Sequence, residues 1–326
     1  MLEKLTSDKK PTISIHIVTY NSERDIISCL KGVFQQTYPV EQIVIIDNAS
    51  GDHTVNMIRA YNGRNIKLYT NGNNEGFAKA HNQAIKKTES DFFLVLNPDV
   101  FLHPEYIEQI MRFAVNNHKA GSFTGCLLSA NSHVIIDSTG LIMTKQRRSF
   151  DRGSGEDALS WRDSSEVFGV SGAASIYLRE MVKDISVGGE FFDPVFFAYK
   201  EDVDVAWRAR LMGWKAYYVS EASAYHGRGW KSEDRSKQPL KIRQHSYINR
   251  YYMILKNDSI IYLTFHMPWI VSYELAVSIY ILIREPQLLL TWLKGRKTLA
   301  VMWRKRKWIQ KNKRASLASV YKSFHL

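Results

Sequence analysis

Cysteine is nearly absent: the 326 residues hold two, Cys29 and Cys126, and neither belongs to a Cys-x-x-Cys arrangement. Two such thiols build neither a disulfide framework nor a zinc site by themselves, and they suit a reducing compartment. Glycine-rich phosphate loops are missing too. No Gly-x-Gly-x-x-Gly follows the first strand-like stretch and no Gly-x-x-x-x-Gly-Lys-Ser/Thr occurs anywhere, so neither a dinucleotide cradle nor a P-loop is supported. The first eleven residues are charged and lack an apolar run, so no secretory signal is expected there. Internal repeats and low-complexity runs are also wanting. Acid is lacking in one place: residues 294–314 contain ten Lys or Arg and no Asp or Glu. The net charge of +12 therefore belongs to that tail, and the body ahead of it is close to neutral.

What is present is core material. A hydrophobic share of 45% excludes a disordered chain, and the length suits one large α/β domain with an appendage, or two small domains. Alternating β-branched residues predict a first strand over 13–18. Ser22 as N-cap, with Asp25 three residues on, predicts a helix whose apolar face holds Ile26, Ile27, Leu30, Val33 and Phe34. A strand over 43–46, a short helix with Val55 and Ile58, and a strand over 66–69 follow. A polar loop over 71–76 then leads into a helix with Phe77, Ala80, Ala84 and Ile85. This alternation is the signature of βαβ units and a mostly parallel sheet. Beyond a helix starting at Pro104, residues 121–165 read as irregular, with strand-like pieces around a mobile polar loop over 145–163 on the substrate side.

The organising stretch is Phe92-Phe93-Leu94-Val95-Leu96-Asn97-Pro98-Asp99. Five apolar residues predict a strand buried on both faces, and Pro98, with no N–H to donate, ends it. Asp99 is thereby delivered to the carboxyl edge of the sheet, where ligands bind in open α/β folds. Thr19-Tyr20-Asn21 and Asp47-Asn48 end the neighbouring strands in the same way. Each alone is an ordinary turn; the coincidence at three strand ends points to one crevice. With no glycine cradle, a phosphate-bearing ligand needs a metal, and Asp99 is a hard oxygen ligand of the kind Mg²⁺ or Mn²⁺ prefers. A second cluster runs from Phe196 to Arg208. Asp202 and Asp204 sit in the first turn of a helix that Gly213 ends, where the dipole favours ionised carboxylates suited to general-base work. A third, Ala224-Tyr225-His226-Gly227-Arg228-Gly229-Trp230, puts a histidine at a loop tip.

As an ordered set, Thr19-Tyr20-Asn21, Asp47-Asn48-Ala49-Ser50-Gly51-Asp52, Asn74-x-Gly76-Phe77-Ala78-x-Ala80-x-Asn82, Asn97-Pro98-Asp99, Gly172-Ala173, Glu201-Asp202-Val203-Asp204 with Arg208, and His226 resembles family 2 glycosyltransferases. Within them it is most similar to the bacterial dTDP-rhamnosyltransferase branch acting on lipid-linked glycans. The resemblance covers residues 12–230, and more weakly 249–257. It implies an α/β GT-A fold (nucleotide-diphospho-sugar transferase) with a mixed, mostly parallel central sheet and a C-terminal helical membrane-associating segment. The implied domains are 1–235, divided into a nucleotide-binding half (12–118) and an acceptor half (119–235), and a C-terminal region 236–326. Asp47 is implied to bond the base, with Thr19, Tyr20 and Asn21 around base and ribose. Asn48, Asn74, Gly76, Phe77, Asn82 and Asn97 would border the nucleotide sugar, and Gly172, Ala173, Glu201 and Arg208 the sugar pocket. Asp99 and His226 would hold Mg²⁺ or Mn²⁺, and Asp202 would be the base of an inverting transfer. Asn97 stands where the family's motif has an acid, which lowers the charge offered to the metal.

Residues 260–283 are nearly continuous apolar sequence, interrupted by His266, Pro268 and Glu274. Their length is that of a span, but Glu274 and Pro268 argue against a simple lipid-exposed helix. Together with the basic, Trp-dotted tail they imply peripheral or monotopic attachment to an anionic membrane surface at the cytoplasmic face of a bacterial inner membrane. The expected partners are a dTDP- or UDP-sugar donor and a lipid-linked saccharide acceptor. Nucleic acid is not expected, because the cations flank an apolar segment and no aromatic-interleaved RNA motif occurs. The alternatives are a UDP-hexose-dependent enzyme of the same family and a non-catalytic relative that only binds nucleotide sugar.

Overall fold

The structure is a computed structural model that describes residues 10–61, 65–227 and 238–325, with the backbone alone for Lys294 and Arg296. Arg228, Gly229 and Trp230 of the histidine loop, and the first nine residues, where no secretory signal is expected, lie outside the described residues. The first half follows the predicted alternation: β1 (Ile13–Thr19), α1 (Ile26–Phe34), β2 (Gln42–Asp47), α2 (Thr54–Arg59), β3 (Ile66–Thr70), α3 (Gly76–Ile85), β4 (Phe92–Leu96), β5 (Val100–Leu102) and α4 (Tyr106–Val115). Then come β6 (Ala120–Ser129), β7 (Ser132–Ser138), β8 (Leu141–Thr144), β9 (Ser149–Asp151), β10 (Ser165–Val167), β11 (Ala174–Leu178), α5 (Arg179–Ile185), α6 (Glu201–Leu211) and β12 (Lys215–His226). Helices close the chain: α7 (Leu240–Asn257), α8 (Ile260–Phe265), α9 (Met267–Arg284), α10 (Leu290–Lys294), α11 (Arg296–Asn312) and α12 (Leu317–Lys322), before a short β13 (Phe324–His325).

The large sheet runs β10-β12-β6-β11-β4-β1-β2-β3, with β5 on β12 and β7 on β6. The strands β4, β1, β2 and β3 are mutually parallel, whereas β11 is antiparallel to both β4 and β6. The sheet is thus mixed, as the resemblance implies. Its central strand is β4, buried on both faces as its apolar run predicts. Phe92, Leu94 and Leu96 join the core under α1 and α4, while Phe93 and Val95 join the core under α5 and α6. This is the two-residue period of a strand working in both directions at once.

Helix starts differ from the sequence reading. α1 begins at Ile26, not beside Ser22, whose hydroxyl accepts from the Tyr20 N–H (3.3 Å) instead of capping the next turn, while its own N–H donates to Thr54 Oγ1 (2.8 Å). Ser22 therefore braces a turn. α4 likewise begins at Tyr106, since the Pro104 carbonyl accepts from Thr37 N–H (2.9 Å). Residues 121–165, expected to be irregular, carry β6 to β9. The ten-residue β6 hides its nature because small residues serve close contacts: a Cβ at Gly125 would lie 2.4 Å from the Ala222 carbonyl oxygen. The strands β8 and β9 form a second sheet with β13.

The C-terminal helices dock on this body through ions. Asp204 of α6 receives Arg208 (2.9 Å), Lys256 (2.8 Å) and Asn257 (2.8 Å). Asp193 receives Lys256 (2.7 Å) and, from α11, Lys305 (2.5 Å). Such buried ions hold a register provided every partner stays in place. Among the described residues one helix, Met267–Arg284, is long and apolar enough to cross a membrane, and only 6% of it is buried.

Candidate active site

β1 feeds β2 and β3 on one side and lies against β4 on the other, so the sheet order reverses at the β1/β4 gap. A crevice opens at such a reversal, beyond the carboxyl ends of the strands. Thr19 pairs in register with Asp47, and Ile17 with Leu96, which sets the predicted strand ends side by side.

At the first corner, Asp47 is buried and organises its own turn. It accepts from Thr19 Oγ1 (2.8 Å), Ser50 Oγ (2.6 Å) and Ser50 N–H (2.9 Å). Asn21, at a left-handed φ of 52°, accepts the Gly51 N–H (2.8 Å) and so pins the β1 turn to the β2 turn. Tyr20 is left 52% exposed at the rim. Asn48 donates to the Gly76 carbonyl (3.3 Å), and Asn74 accepts the Gly76 N–H (2.9 Å). Gly76 has φ +80°, and a Cβ there would sit 2.5 Å from the Phe197 ring, so only glycine fits. Phe77 continues this wall, against Gly172 on one side and His81 on the other, with ring centroids 4.2 Å apart.

Two residues expected at the ligand are engaged elsewhere. Asn82 clamps the Phe192 backbone, donating to its carbonyl (2.7 Å) and accepting its N–H (3.0 Å). Arg208 is buried, with its guanidinium on Asp204 and on the Ile185 and Phe191 carbonyls. Their donors are consumed in holding the fold, which corrects the reading that put Asn82 at the nucleotide and Arg208 in the sugar pocket.

At the second corner, Asp99 Oδ1 faces His226 Nε2 at 3.4 Å. β5 and β12 make this pairing, since Val100 lies in register with His226. The far nitrogen, His226 Nδ1, is bonded to Asp137 Oδ2 of β7 at 2.8 Å. Burial opposes a charge on this ring, but the Asp137 and Asp99 carboxylates outweigh it and raise its pKa to about 9. A carboxylate behind a ligating imidazole fixes its tautomer and orientation. Asp99 Oδ1 and His226 Nε2 would hold a divalent cation only once the ring gives up its Nε2 proton, since at that pKa it is doubly protonated near neutrality. Among the described residues no cluster of three or more ligating groups occurs.

The third corner is the start of α6. Asp202 accepts from the Val203 N–H (2.7 Å) and the Gly172 N–H (3.2 Å). The next carbonyl, Ala173, takes the Asn97 N–H (2.8 Å). One dipeptide therefore ties the Asn97–Asp99 turn to Asp202. Burial raises the Asp202 pKa against the pull of Lys200 and these two N–H groups. Burial, with Asp202 beside it, raises Glu201 to about 8, and Glu201 Oε2 has no hydrogen-bond partner among the described residues.

The loop ahead of Asp202 is strained: Phe197, Tyr199 and Lys200 have φ of 59°, 71° and 72° without being glycine. Asn249 of α7 holds it, its amide donating to the Phe196, Ala198 and Tyr199 carbonyls at 2.8, 3.0 and 2.8 Å. Sequence reasoning missed the roles of Asn249 and Asp137. Asp137 had a signal, an acid closing the apolar run Val134-Ile135-Ile136; Asn249 opens the weakly similar stretch 249–257, which names no role for it.

Comparison with known proteins bears on the geometry above. The model of Glycosyl transferase family 2 matches residues 14–186. The hyaluronan synthase of Streptococcus pyogenes is 25% identical over 174 residues, covering 51% of this chain and 40% of that protein. A Methanococcus voltae protein named dolichyl N-acetyl-alpha-D-glucosaminyl phosphate 3-beta-D-2,3-diacetamido-2,3-dideoxy-beta-D-glucuronosyltransferase is 35% identical over 102 residues, covering 29% of this chain and 32% of its own length. The chain thus spans well under half of these two relatives. Among solved structures, S. aureus TarS superposes with a TM-score of 0.54 at 19% identity, covering 76% of this chain and 40% of that one. GalNAc-T7 with UDP, GalNAc and Mn²⁺ gives 0.56 at 14% identity, covering 83% and 58%. The fold is GT-A, with C-terminal helices added.

Proposed function

Since the chain belongs to glycosyl transferase family 2, we propose that it moves a sugar from a nucleotide-diphosphate donor to an acceptor hydroxyl with inversion. One observation carries the reading: Gly172 and Ala173 bond Asp202 and Asn97 in succession, so a base and a diphosphate corner are held at one fixed separation. Asp202 takes the acceptor proton as the hydroxyl oxygen attacks the anomeric carbon from the face opposite the nucleotide, and the sugar–phosphate bond breaks. Its burial raises its basicity, and its two N–H partners fix its direction. Asp99 and His226 would hold Mg²⁺ or Mn²⁺, which neutralises the leaving diphosphate when bound. Tyr20 and the turn around Asp47 offer an exposed ring and a rigid polar rim for the base.

The donor we infer is dTDP-L-rhamnose, on the strength of Asn97-Pro98-Asp99, where the amide lowers the charge offered to the metal. The acceptor we infer is a polyprenyl-diphosphate-linked saccharide at the cytoplasmic face of a bacterial membrane. The Methanococcus voltae relative's name, which specifies a dolichyl-phosphate sugar, supports an acceptor of that chemistry, as do the exposed apolar helices. A UDP-hexose is the second donor reading, and UDP is the nucleotide in the GalNAc-T7 complex that shares the fold. A donor panel tests both: purified protein, Mg²⁺ or Mn²⁺, dTDP- and UDP-sugars, and a synthetic lipid-diphosphate acceptor. Transfer from dTDP-rhamnose alone, abolished by Asp202→Asn, is the expected result. Transfer from a UDP-sugar alone overturns the donor, and nucleotide binding without transfer or donor hydrolysis overturns the enzyme.

A further inference from the structure

A cleft of about 220 Å³ lies away from the nucleotide crevice, between β9, the strained loop, α7 and α9. Arg148, Lys200, Arg250, Tyr247, Tyr251 and Tyr273 are among its lining residues. Its charge is unbalanced. Arg250 is engaged with Glu274 and with the Arg147 and Gln146 carbonyls. Arg148 pairs with no acid among the described residues; its guanidinium lies over the rings of Phe150 (4.4 Å) and Tyr273 (5.1 Å). Lys200 reaches Ser149 Oγ (2.7 Å), with the Asp202, Asp151 and Glu201 carboxylates near enough to favour its charge. An arginine packed on aromatic rings and without a carboxylate partner can offer its N–H groups to an oxyanion.

One wall of the cleft is apolar, and the helix that makes it carries an exposed apolar flank on its other side. Tyr273, Val277, Tyr280 and Ile281 of α9 form that wall, while Leu275, Ile279, Leu282 and Ile283 of the same helix stand 58–72% exposed. Ile260, Ile261 and Phe265 of α8, the helix just before it, are likewise 59–72% exposed. Lys200, on the cleft's inner side, is two residues from Asp202. We propose that this cleft receives the phosphate of an isoprenoid-phosphate-linked acceptor, with the lipid chain along α8 and α9 and the first sugar directed past Lys200 to Asp202. A free phosphate needs the cations alone and a bilayer needs the apolar face alone. The cleft sets cations against the apolar wall of α9, with Lys200 two residues from the proposed base, so a lipid phosphate is the occupant that uses all three. The inference rests on the transferase reading above and adds where the acceptor sits.

The test titrates farnesyl diphosphate, farnesol and inorganic pyrophosphate separately into the full chain in EDTA, which disables any metal-dependent diphosphate site, and follows tryptophan fluorescence. Farnesyl diphosphate is expected to bind at least about tenfold more tightly than either part, and Arg148→Glu to weaken it by at least about tenfold. Arg148→Gln, which changes the side chain less, should weaken it too, with Arg148→Lys closer to the parent; thermal melts confirm that each variant is folded. Pyrophosphate binding as tight as farnesyl diphosphate would make the cleft a free-phosphate site, and farnesol binding as tight would make it an apolar patch. Unchanged affinity in all three folded Arg148 variants would put the phosphate elsewhere. Each of these overturns the proposal. UDP- and dTDP-sugar binding, measured in parallel with Mn²⁺, separates this outcome from the donor reading. Farnesyl diphosphate binding that depends on Arg148, without any nucleotide binding, would sink the donor reading and sustain this one.

Discussion

Burial raises the pKa of both Glu201 and Asp202, while Lys200 and the Gly172 and Val203 N–H groups pull Asp202 back. Glu201, raised to about 8, is neutral at pH 7, so Glu201→Gln copies its working form. That variant should keep transfer within a few-fold at neutral pH, whereas Asp202→Asn should lose about 10²–10⁴ in kcat; steady-state rates on the same acceptor decide it. His81 gives a stability test. Its ring is wholly buried between Phe77 and Phe192, and burial lowers its pKa to about 3, from an ordinary 6.5. His16 is depressed by burial in the same direction, further lowered by His81 and Arg179. A histidine whose folded pKa lies below its unfolded one protonates first in the unfolded chain. Stability is therefore full above about 6.5 and falls as pH drops toward 3. The melting temperature should decline through this window, and His81→Phe should flatten the decline. A parallel shift of the two curves would refute the assignment.

Strands and helices differ in how openly the sequence declares them. β4 is legible because its two buried faces leave an unbroken apolar run, and β1 to β3 because βαβ units repeat a simple alternation. β6 is not, since its inner positions are filled by glycine, serine and threonine where Met181, Tyr106 and the Ala222 carbonyl crowd in. The site divides the same way. Asp99, Asp202 and His226 sit at element ends, where sequence marks a turn. Asn82 and Arg208 share those neighbourhoods but point into the fold, and a motif carries no record of direction. Asn249 lies mid-helix, and only tertiary structure brings it to the strained loop. Its Ala variant frees three carbonyls beside three left-handed residues. We expect kcat to fall by about 10–100-fold through misplacement of Asp202, with a stability loss of about 1–3 kcal/mol. A loss of stability with kcat unchanged would show that the loop keeps its shape unaided.

At the scale of the whole molecule, α8 and α9 carry exposed apolar side chains, and part of the basic tail is tied to the body. Glu274, which argued from sequence against a lipid-exposed helix, is bonded to Arg250 and to Tyr251 (2.7 Å), so the opposite flank of α9 is free to be greasy. Ile279→Lys combined with Ile283→Lys should sharply reduce co-sedimentation with anionic vesicles while leaving the melting temperature nearly unchanged, since both side chains touch water. The tail divides its cations: Lys305 bonds Asp193, Arg306 bonds the Leu255 carbonyl and Arg314 bonds Asp184, while Lys297, Arg304, Lys307 and Lys311 stay exposed. β13 then pairs with β8, and Tyr321 donates to Asp258 (2.6 Å), which also receives Arg147. These contacts impose a timetable on synthesis. The parallel strands can pair as soon as they leave the ribosome. Asp193 must wait for Lys305, and β8 for the strand it receives some 180 residues later. A nascent chain stalled before Leu317 should therefore resist protease over its first hundred residues and remain cleavable between β6 and β9. The second sheet would close only once β13 has emerged, after α7 to α9 have already left the ribosome.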